Sequence, residues 1–136
     1  MYSSQVILSI INKIKQSEVV VKNNLVVDFN QFLDDEDSML VYIVTPETQI
    51  RSDATCFDGS TYTLGLGLVF RVFNQSVGLE GLETMMNLDK IVDELKESIK
   101  ELGIESLTIT QGTRLASIYD NGVKDFEVQF QVKYFR

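Results

Sequence analysis

The stretch TYTLGLGLVFRVF, residues 61–73, alternates large apolar residues with mostly small or polar ones. One face carries Tyr62, Leu64, Leu66, Leu68, Phe70 and Val72, and the other carries Thr61, Thr63, Gly65, Gly67, Val69, Arg71 and Phe73. This period of two is typical of a β-strand with one buried face. An extended strand of that length spans about 43 Å. Because a compact domain of this size has a radius of gyration of about 14 Å, the pattern predicts a strand that crosses the whole domain.

A second long strand is predicted at the end of the chain, over residues 123–135. It alternates Phe126, Val128, Phe130, Val132 and Tyr134 with Asp125, Glu127, Gln129, Gln131 and Lys133. We expect the two long strands to pair antiparallel in the middle of a sheet. Gly65 and Gly67 have two open interpretations. They bend or bulge the strand around a helix, or they let the backbone of another subunit approach closely.

Two amphipathic helices are predicted to cover one face of this sheet. The apolar stripe of the first consists of Val6, Ile7, Ile10, Ile11 and Ile14. Ser3 or Ser4 is its expected N-cap. The stripe of the second consists of Leu88, Ile91, Val92, Leu95, Ile99 and Leu102. Asn87 is the expected N-cap of this helix, and Gly103 is expected to end it. Residues 74–86 are ambiguous, because their apolar residues fit a short helix and their two glycines oppose it.

The remaining segments predict strands and turns. We expect a hairpin of residues 19–21 with 25–29 around Asn23 and Asn24, and a strand over residues 40–44. Residues 46–60 are expected to form a polar loop. Strands over residues 104–110 and 114–119 precede the last strand, and Asn121-Gly122 indicates a hairpin turn. Together these elements predict an α+β fold: a single domain, residues 1–136, whose mainly antiparallel sheet carries two α-helices on one face.

The composition of the chain excludes the common catalytic and metal-binding chemistries. The 136 residues contain one cysteine, Cys56, and no histidine. A disulfide within the chain and a zinc site of Cys and His are therefore excluded. Catalysis by a Ser-His-Asp or Cys-His set is excluded as well. We expect no enzymatic activity, no cofactor and no bound metal, and we expect Cys56 to be inert.

Charge and hydropathy limit the partners of the chain. Its net charge is −8, so an acidic surface repels phosphate and opposes specific binding of nucleic acid. No apolar run is long enough to cross a bilayer, and no signal peptide is apparent. The acidic run Asp34, Asp35, Glu36 and Asp37 is typical of a solvated loop. Asp53, Asp58 and Gly59 do not match the spacing of a calcium-binding EF-hand loop.

The order of these elements resembles the tail terminator proteins of long-tailed bacteriophages, of the lambda type, and the related neck and minor capsid proteins. The resemblance rests on SSQVILSIINKIKQ (3–16), SMLVYIVTPET (38–48), YTLGLGLVFRVF (62–73), NLDKIVDELKESIKEL (87–102) and FEVQFQVKYFR (126–136). It implies a small α+β subunit that forms a hexameric ring. Such a ring caps the tail tube, stops its polymerisation and offers a surface for joining the head.

The resemblance also implies partners and a location. The partners would be further copies of this chain, the tail tube protein and a head-completion or neck protein. The protein would be made in the host cytoplasm and incorporated into the tail or neck of the virion. We expect the subunit or tube interface to include Thr61, Thr63, Gly65, Gly67, Arg51, Asp53 and Asp58. The acidic run at residues 34–37 would face the lumen of the ring or the solvent.

Three other functions remain open from the sequence. Within the same structural class, the chain could be a head-to-tail completion protein that binds the portal side of the neck. The second alternative, from a different class, is a small enzyme that uses carboxylates and a divalent metal. The third is a monomeric binding module that uses the polar segment 46–60. Oligomeric state separates these functions most directly.

Overall fold

A computed structural model describes residues 2–29, 40–44, 51–56, 59–72, 79–120 and 122–135. Along the chain the helices and strands are α1 (Ser3–Lys15), α2 (Glu18–Lys22), β1 (Val26–Phe29), β2 (Leu40–Val44), β3 (Arg51–Cys56), β4 (Gly59–Val72), α3 (Leu79–Glu97), α4 (Ile99–Leu102), β5 (Ser106–Ile118) and β6 (Lys124–Phe135). The predicted α+β fold is confirmed. The acidic run at residues 34–37 and Asp58 lie outside the described residues.

The long strand β4 has different partners along its two edges. On one edge it pairs antiparallel with β6 from Thr61 opposite Phe135 to Val72 opposite Lys124, with no shift in register. On the other edge its second half pairs with β2, from Gly67 to Arg71, and its first half pairs with β3, from Gly59 to Thr63. The predicted antiparallel pairing of the two long strands is confirmed. The strand can be this long because two short strands share its second edge.

The sheet is mixed but mainly antiparallel. The strand order is β1-β2-β4-β6-β5, with β3 beside β4 off this path. Among the described strands β1 and β2 run parallel, and the other pairs run antiparallel. The two strands of a parallel pair such as β1 and β2 need a long connection between them. The sequence prediction instead paired the strand 25–29 with residues 19–21 in a hairpin.

The helices cover the face of the sheet that the sequence predicts as apolar. Leu64, Leu66, Leu68 and Phe70 of β4 are buried together with the alternate apolar residues of β6. The helices contribute the following residues to the same core: Val6, Ile10, Ile14, Val19, Val20, Leu88, Ile91, Val92, Leu95 and Leu102. Both predicted helical stripes are therefore packed against the predicted strand face, and the opposite face of the sheet carries none of these helices.

The predicted hairpin over residues 19–29 is wrong in its first half. Glu18–Lys22 is the helix α2, and β1 begins at Val26. Adjacent Val19 and Val20 are both buried while Val21 is exposed. A strand alternates its faces, so it cannot bury two consecutive side chains on one core, whereas a helix can. Asn24 adopts a positive φ of 56°, but it does so just after the C-terminus of α2 and not in a hairpin turn.

The polar segment 46–60 contains a strand that its composition does not indicate. Arg51–Cys56 is β3 and pairs with the beginning of β4. Pairing of main-chain amides and carbonyls holds such a short edge strand in place, and it does not require an apolar pattern. The prediction of a continuous loop is therefore wrong for these residues.

The second long helix begins earlier than predicted and is interrupted near its end. It starts at Leu79, so Asn87 lies inside the helix and is not the N-cap, and Gly81 is buried within it. At Ser98 the helix breaks, and the Ser98 hydroxyl donates to the Glu94 carbonyl at 2.8 Å. The short α4 follows and ends at Gly103, whose φ of 69° is the expected left-handed cap.

Two further boundaries differ from the sequence prediction. In α1 the N-cap is Tyr2 instead of Ser3 or Ser4, and its amide donates to the Gln5 side chain at 2.7 Å. The two strands predicted at 104–110 and 114–119 are a single strand, β5, whose register against β6 shifts around Gln111 and Arg114. A β-bulge absorbs the polar Gln-Gly-Thr sequence without ending the strand. The turn before β6 has the expected glycine, Gly122, at a φ of 84°.

The packing of α3 generates a stability test with a matched control. Leu95→Ala should lower the free energy of unfolding by about 2–5 kcal/mol, because it leaves a cavity beneath a side chain that is 1% exposed. Leu79→Ala on the same helix should change it by less than about 0.5 kcal/mol, because Leu79 is 86% exposed. Chemical denaturation of both variants gives the comparison. Equal effects would contradict the helix orientation described above.

Candidate functional site

The candidate site is the face of the sheet that the helices leave uncovered, which we call the outer face. It is built from alternate residues of β4, β5 and β6. Gly65 lies opposite Gln131 and Gly67 opposite Gln129. Gln131 lies in turn opposite Thr108 of β5. Amide and hydroxyl side chains therefore lie beside two positions that have no side chain, and the surface around Gly65 is polar.

The strand register brings four of the predicted interface residues together. Arg51 of β3 is paired with Thr63 of β4, and Asp53 is paired with Thr61. Gly65 follows Thr63 along the same face of the strand. The sequence contains no signal for this pairing, because β3 is not predicted as a strand. Asp58, the remaining polar member of the predicted set, lies outside the described residues.

Gly65 has open space in front of it on the outer face. A Cβ placed on Gly65 has no atom within 4 Å apart from its chain neighbours. The uninterrupted register with β6 at Gly65 also excludes a bulge between these two strands. Gly67, by contrast, is buried, and Val69 is buried beside it. The fold itself therefore does not need glycine at position 65, and open space lies in front of it.

A buried ion pair closes one end of the outer face. Arg71 and Asp125 are direct partners in the register, and two guanidinium nitrogens donate to the two Asp125 oxygens at 2.8 Å each. Only 8% of the Asp125 side chain is exposed, and 13% of the Arg71 side chain. The Tyr119 hydroxyl donates to Asp125 at 2.9 Å, and its ring lies 5.1 Å from the guanidinium carbon. This arrangement satisfies the carboxylate on both oxygens and supplies a cation–π contact to the arginine.

A second pair of charges lies beside this cluster. Arg114 of β5 approaches Glu127 of β6 at 3.7 Å, and the Gln129 amide donates to Glu127 at 2.6 Å. The signal for the first ion pair is present in the sequence, since Arg71 and Asp125 occupy outward positions of the two alternating strands, as Glu127 does for the second, whereas Arg114 lies on a strand whose faces the sequence does not indicate. Only the strand register shows which charges meet, and the sequence alone does not fix it.

The outer face is close to neutral although the chain is acidic. On β4, β5 and β6 it carries the basic residues Arg71, Arg114 and Lys133 and the acidic residues Asp125 and Glu127. The chain as a whole has a net charge of −8. A nearly neutral surface with amides and hydroxyls around Gly65 is chemically suited to contact with another protein surface, which needs hydrogen bonds without a large desolvation penalty.

The described residues offer no set of groups for metal binding. Across residues 2–29, 40–44, 51–56, 59–72, 79–120 and 122–135, no three Cys, Asp or Glu side chains converge on one point. In the same ranges no helix is long and apolar enough to pass through a bilayer.

Comparison with known proteins identifies a shared fold. Searches of protein-family models and of curated protein sequences gave no match. A search of solved structures found similarity to a chain in the virion of a native gene transfer agent particle. The TM-score is 0.61, the sequence identity is 7%, and the match covers 100% of both chains. At this identity the similarity shows that the two chains have the same fold, from one end to the other.

The ion pair at Asp125 generates a test of how the outer face is held. Asp125→Asn should lower the free energy of unfolding by about 3–5 kcal/mol, because it leaves a buried guanidinium without its counter-charge. Tyr119→Phe keeps the ring over Arg71 and removes only the hydroxyl, so a loss of about 1 kcal/mol is expected. Urea denaturation measures both. A loss below about 1 kcal/mol for Asp125→Asn would mean that the pair is solvated in solution.

Proposed function

We propose that this chain is a structural protein of a virion, and that it forms the ring that caps a tail tube. The observation that carries the proposal is the likeness along the full length to a chain of the virion of a gene transfer agent particle. The order of helices and strands that resembles phage tail terminators points to the same class. The finer assignment, a ring that ends tube polymerisation and joins the head, rests on that resemblance.

The chemistry of the described surface supports a role in assembly. Around Gly65 the outer face is polar, its charges on β4, β5 and β6 nearly cancel, and the buried pair Arg71–Asp125 holds both of its side chains in place. These features suit a preorganised contact surface. The protein would act through its surfaces and without catalysis. Its partners would be further copies of the chain, the tail tube protein and a head-completion protein.

The polar, open surface at Gly65 is the proposed contact with a neighbouring subunit or with the tube. A subunit in isolation has room for a larger residue here, since a Cβ at this position would have no atom within 4 Å beyond its chain neighbours. A flat protein partner would occupy that room. Added bulk at position 65 should therefore interfere with assembly and leave folding intact.

Gly65→Val tests this contact. The variant should unfold at a temperature close to that of the unmodified chain, because valine favours strands and meets open space. It should nevertheless fail to form rings or to cap tubes. The measurements are thermal unfolding of the subunit, and electron microscopy of tube lengths when the chain is mixed with its tail tube protein.

Gly112→Val is the matched control for Gly65→Val. It makes the same substitution at a glycine of β5 where a Cβ would also have no atom within 4 Å beyond its chain neighbours. This glycine lies outside the predicted interface residues, so capping should persist. Normal capping by Gly65→Val would overturn the contact at Gly65. If the unmodified chain neither forms rings nor limits tube length, the proposed capping function itself is wrong.

A further inference from the structure

A groove lies between α2 and α3 on the solvent-exposed side of the helical layer. Its volume is about 540 Å³. Residues 18–23 line one wall, and residues 83–97 of α3 line the other. The lining residues of α3 recur at spacings of three and four, so they form one continuous face of the helix. This face is about 21 Å long. The groove is therefore long enough to hold a segment of polypeptide.

The groove is predominantly acidic, and its charges are not paired. Five carboxylates line it: Glu18, Glu83, Asp93, Glu94 and Glu97. Lys22 and Lys90 line it as well, so five negative and two positive groups give a net charge of −3. Within the described part of the chain none of these groups forms an ion pair. Their charges are therefore available to a ligand of net positive charge.

The distribution of the carboxylates does not suit a single metal ion. Among the described residues no three acidic side chains converge on one point. Those of α3 begin at Glu83 and end at Glu97, about 21 Å apart along the helix axis. A ligand that pairs with all of them must carry several positive charges along its length.

Exposed apolar side chains lie near one end of the groove. Met86 lines the groove and is 55% exposed, and Leu82, one helical turn earlier, is 53% exposed. Exposed apolar residues beside charges of predominantly one sign are typical of a protein contact surface. The flexible methionine side chain adapts to apolar partners of different shape. A simple polycation offers no counterpart to these two side chains, whereas a polypeptide with an apolar residue does.

We infer that this groove binds a segment of another protein that carries spaced lysine or arginine residues and at least one apolar residue. The basic side chains pair with carboxylates along α3, and the apolar residue contacts Met86 and Leu82. Lys90 lies in the middle of the α3 face and repels an uninterrupted run of positive charge, so spaced basic residues fit better. The inference does not rest on the capping function, because the groove lies in the helical layer and the proposed capping contact lies on the outer face.

Two synthetic peptides test the class of ligand. The first, the lysine peptide, has about 15 residues, which as a helix match the length of the α3 face. It carries lysine at every third or fourth position and leucine residues between them. The second, the glutamine peptide, has glutamine in place of each lysine. Fluorescence anisotropy at low salt, where charge contacts are strong, should show that the glutamine peptide binds at least about tenfold more weakly.

Paired substitutions test whether the groove is the binding site. Asp93→Asn with Glu97→Gln removes two negative charges from the groove. Glu105→Gln with Asp120→Asn removes two from outside the groove and is the matched control. All four side chains are exposed, so both variants should keep the unfolding temperature of the unmodified chain. The groove variant should bind the lysine peptide about tenfold more weakly, and the control should bind it nearly as the unmodified chain does.

A single substitution tests the apolar part of the contact. Met86→Ser should weaken binding of the lysine peptide several-fold, because it removes an apolar partner of the leucine residues. Ile118→Ser is the control, since Ile118 is 62% exposed on β5 and does not line the groove. It should leave binding unchanged. Equal binding by Met86→Ser and the unmodified chain would mean that the groove attracts polycations and has no apolar contact with a protein segment.

The outcomes separate the groove from the capping function. Equal weakening in the two charge variants would mean that the lysine peptide binds any acidic surface of the chain, which overturns the inference. Equal binding of the two peptides overturns it as well. If the groove variant loses the lysine peptide but still ends tube polymerisation, the groove and the capping function both stand and serve different partners. If the groove binds the lysine peptide but the unmodified chain never caps a tube, the groove stands and the proposed capping function is wrong.

Discussion

The uninterrupted ladder between β4 and β6 is the constraint on which the rest of the structure depends. Side chains in a strand alternate at a period of two, so a slip of one residue would turn every buried residue outward. Two cross-strand pairs hold the register near its ends and on opposite faces. Tyr62 and Tyr134 stack at 5.7 Å on the core face, and Arg71 pairs with Asp125 on the outer face. A slip would break both contacts and the core together.

The same pairing of β4 with β6 determines which side chains lie on each face of the sheet. In this register the alternate apolar residues of the two long strands face the helices, and glycine, threonine and glutamine residues lie on the outer face. The outer charges of these strands meet as pairs because their positions coincide in the register. The distribution of polar and apolar side chains over the two faces therefore follows from strand register.

The sequence predicted the parts of the fold that depend on periodicity. The long strands and both helical stripes follow from spacing alone, because burial of one face imposes that spacing. The missed elements are those held by main-chain bonds or by tertiary packing. Strand β3 has no apolar pattern, and Val19 and Val20 form a helix although β-branched residues favour strands. The bulge in β5 looks like a turn in the sequence, since glycine and polar residues occur in both.

The candidate site was predictable only in part, for the same reason. The alternation identified the outward residues of β4, including Gly65, but it could not show that Gly67 is buried or that Arg51 lies opposite Thr63. These facts depend on which strand lies next to which, and neighbouring strands are far apart in the chain. Lateral edges are still harder to predict, because a strand becomes an edge only when the order of the whole sheet is known.

The virion chain shares the fold of this protein at very low sequence identity. Over the full length of both chains the TM-score is 0.61 and the identity is 7%, so most residues differ although the fold is the same. A period-two apolar pattern and a helical stripe can be met by many sequences, so the core places little restriction on residue identity.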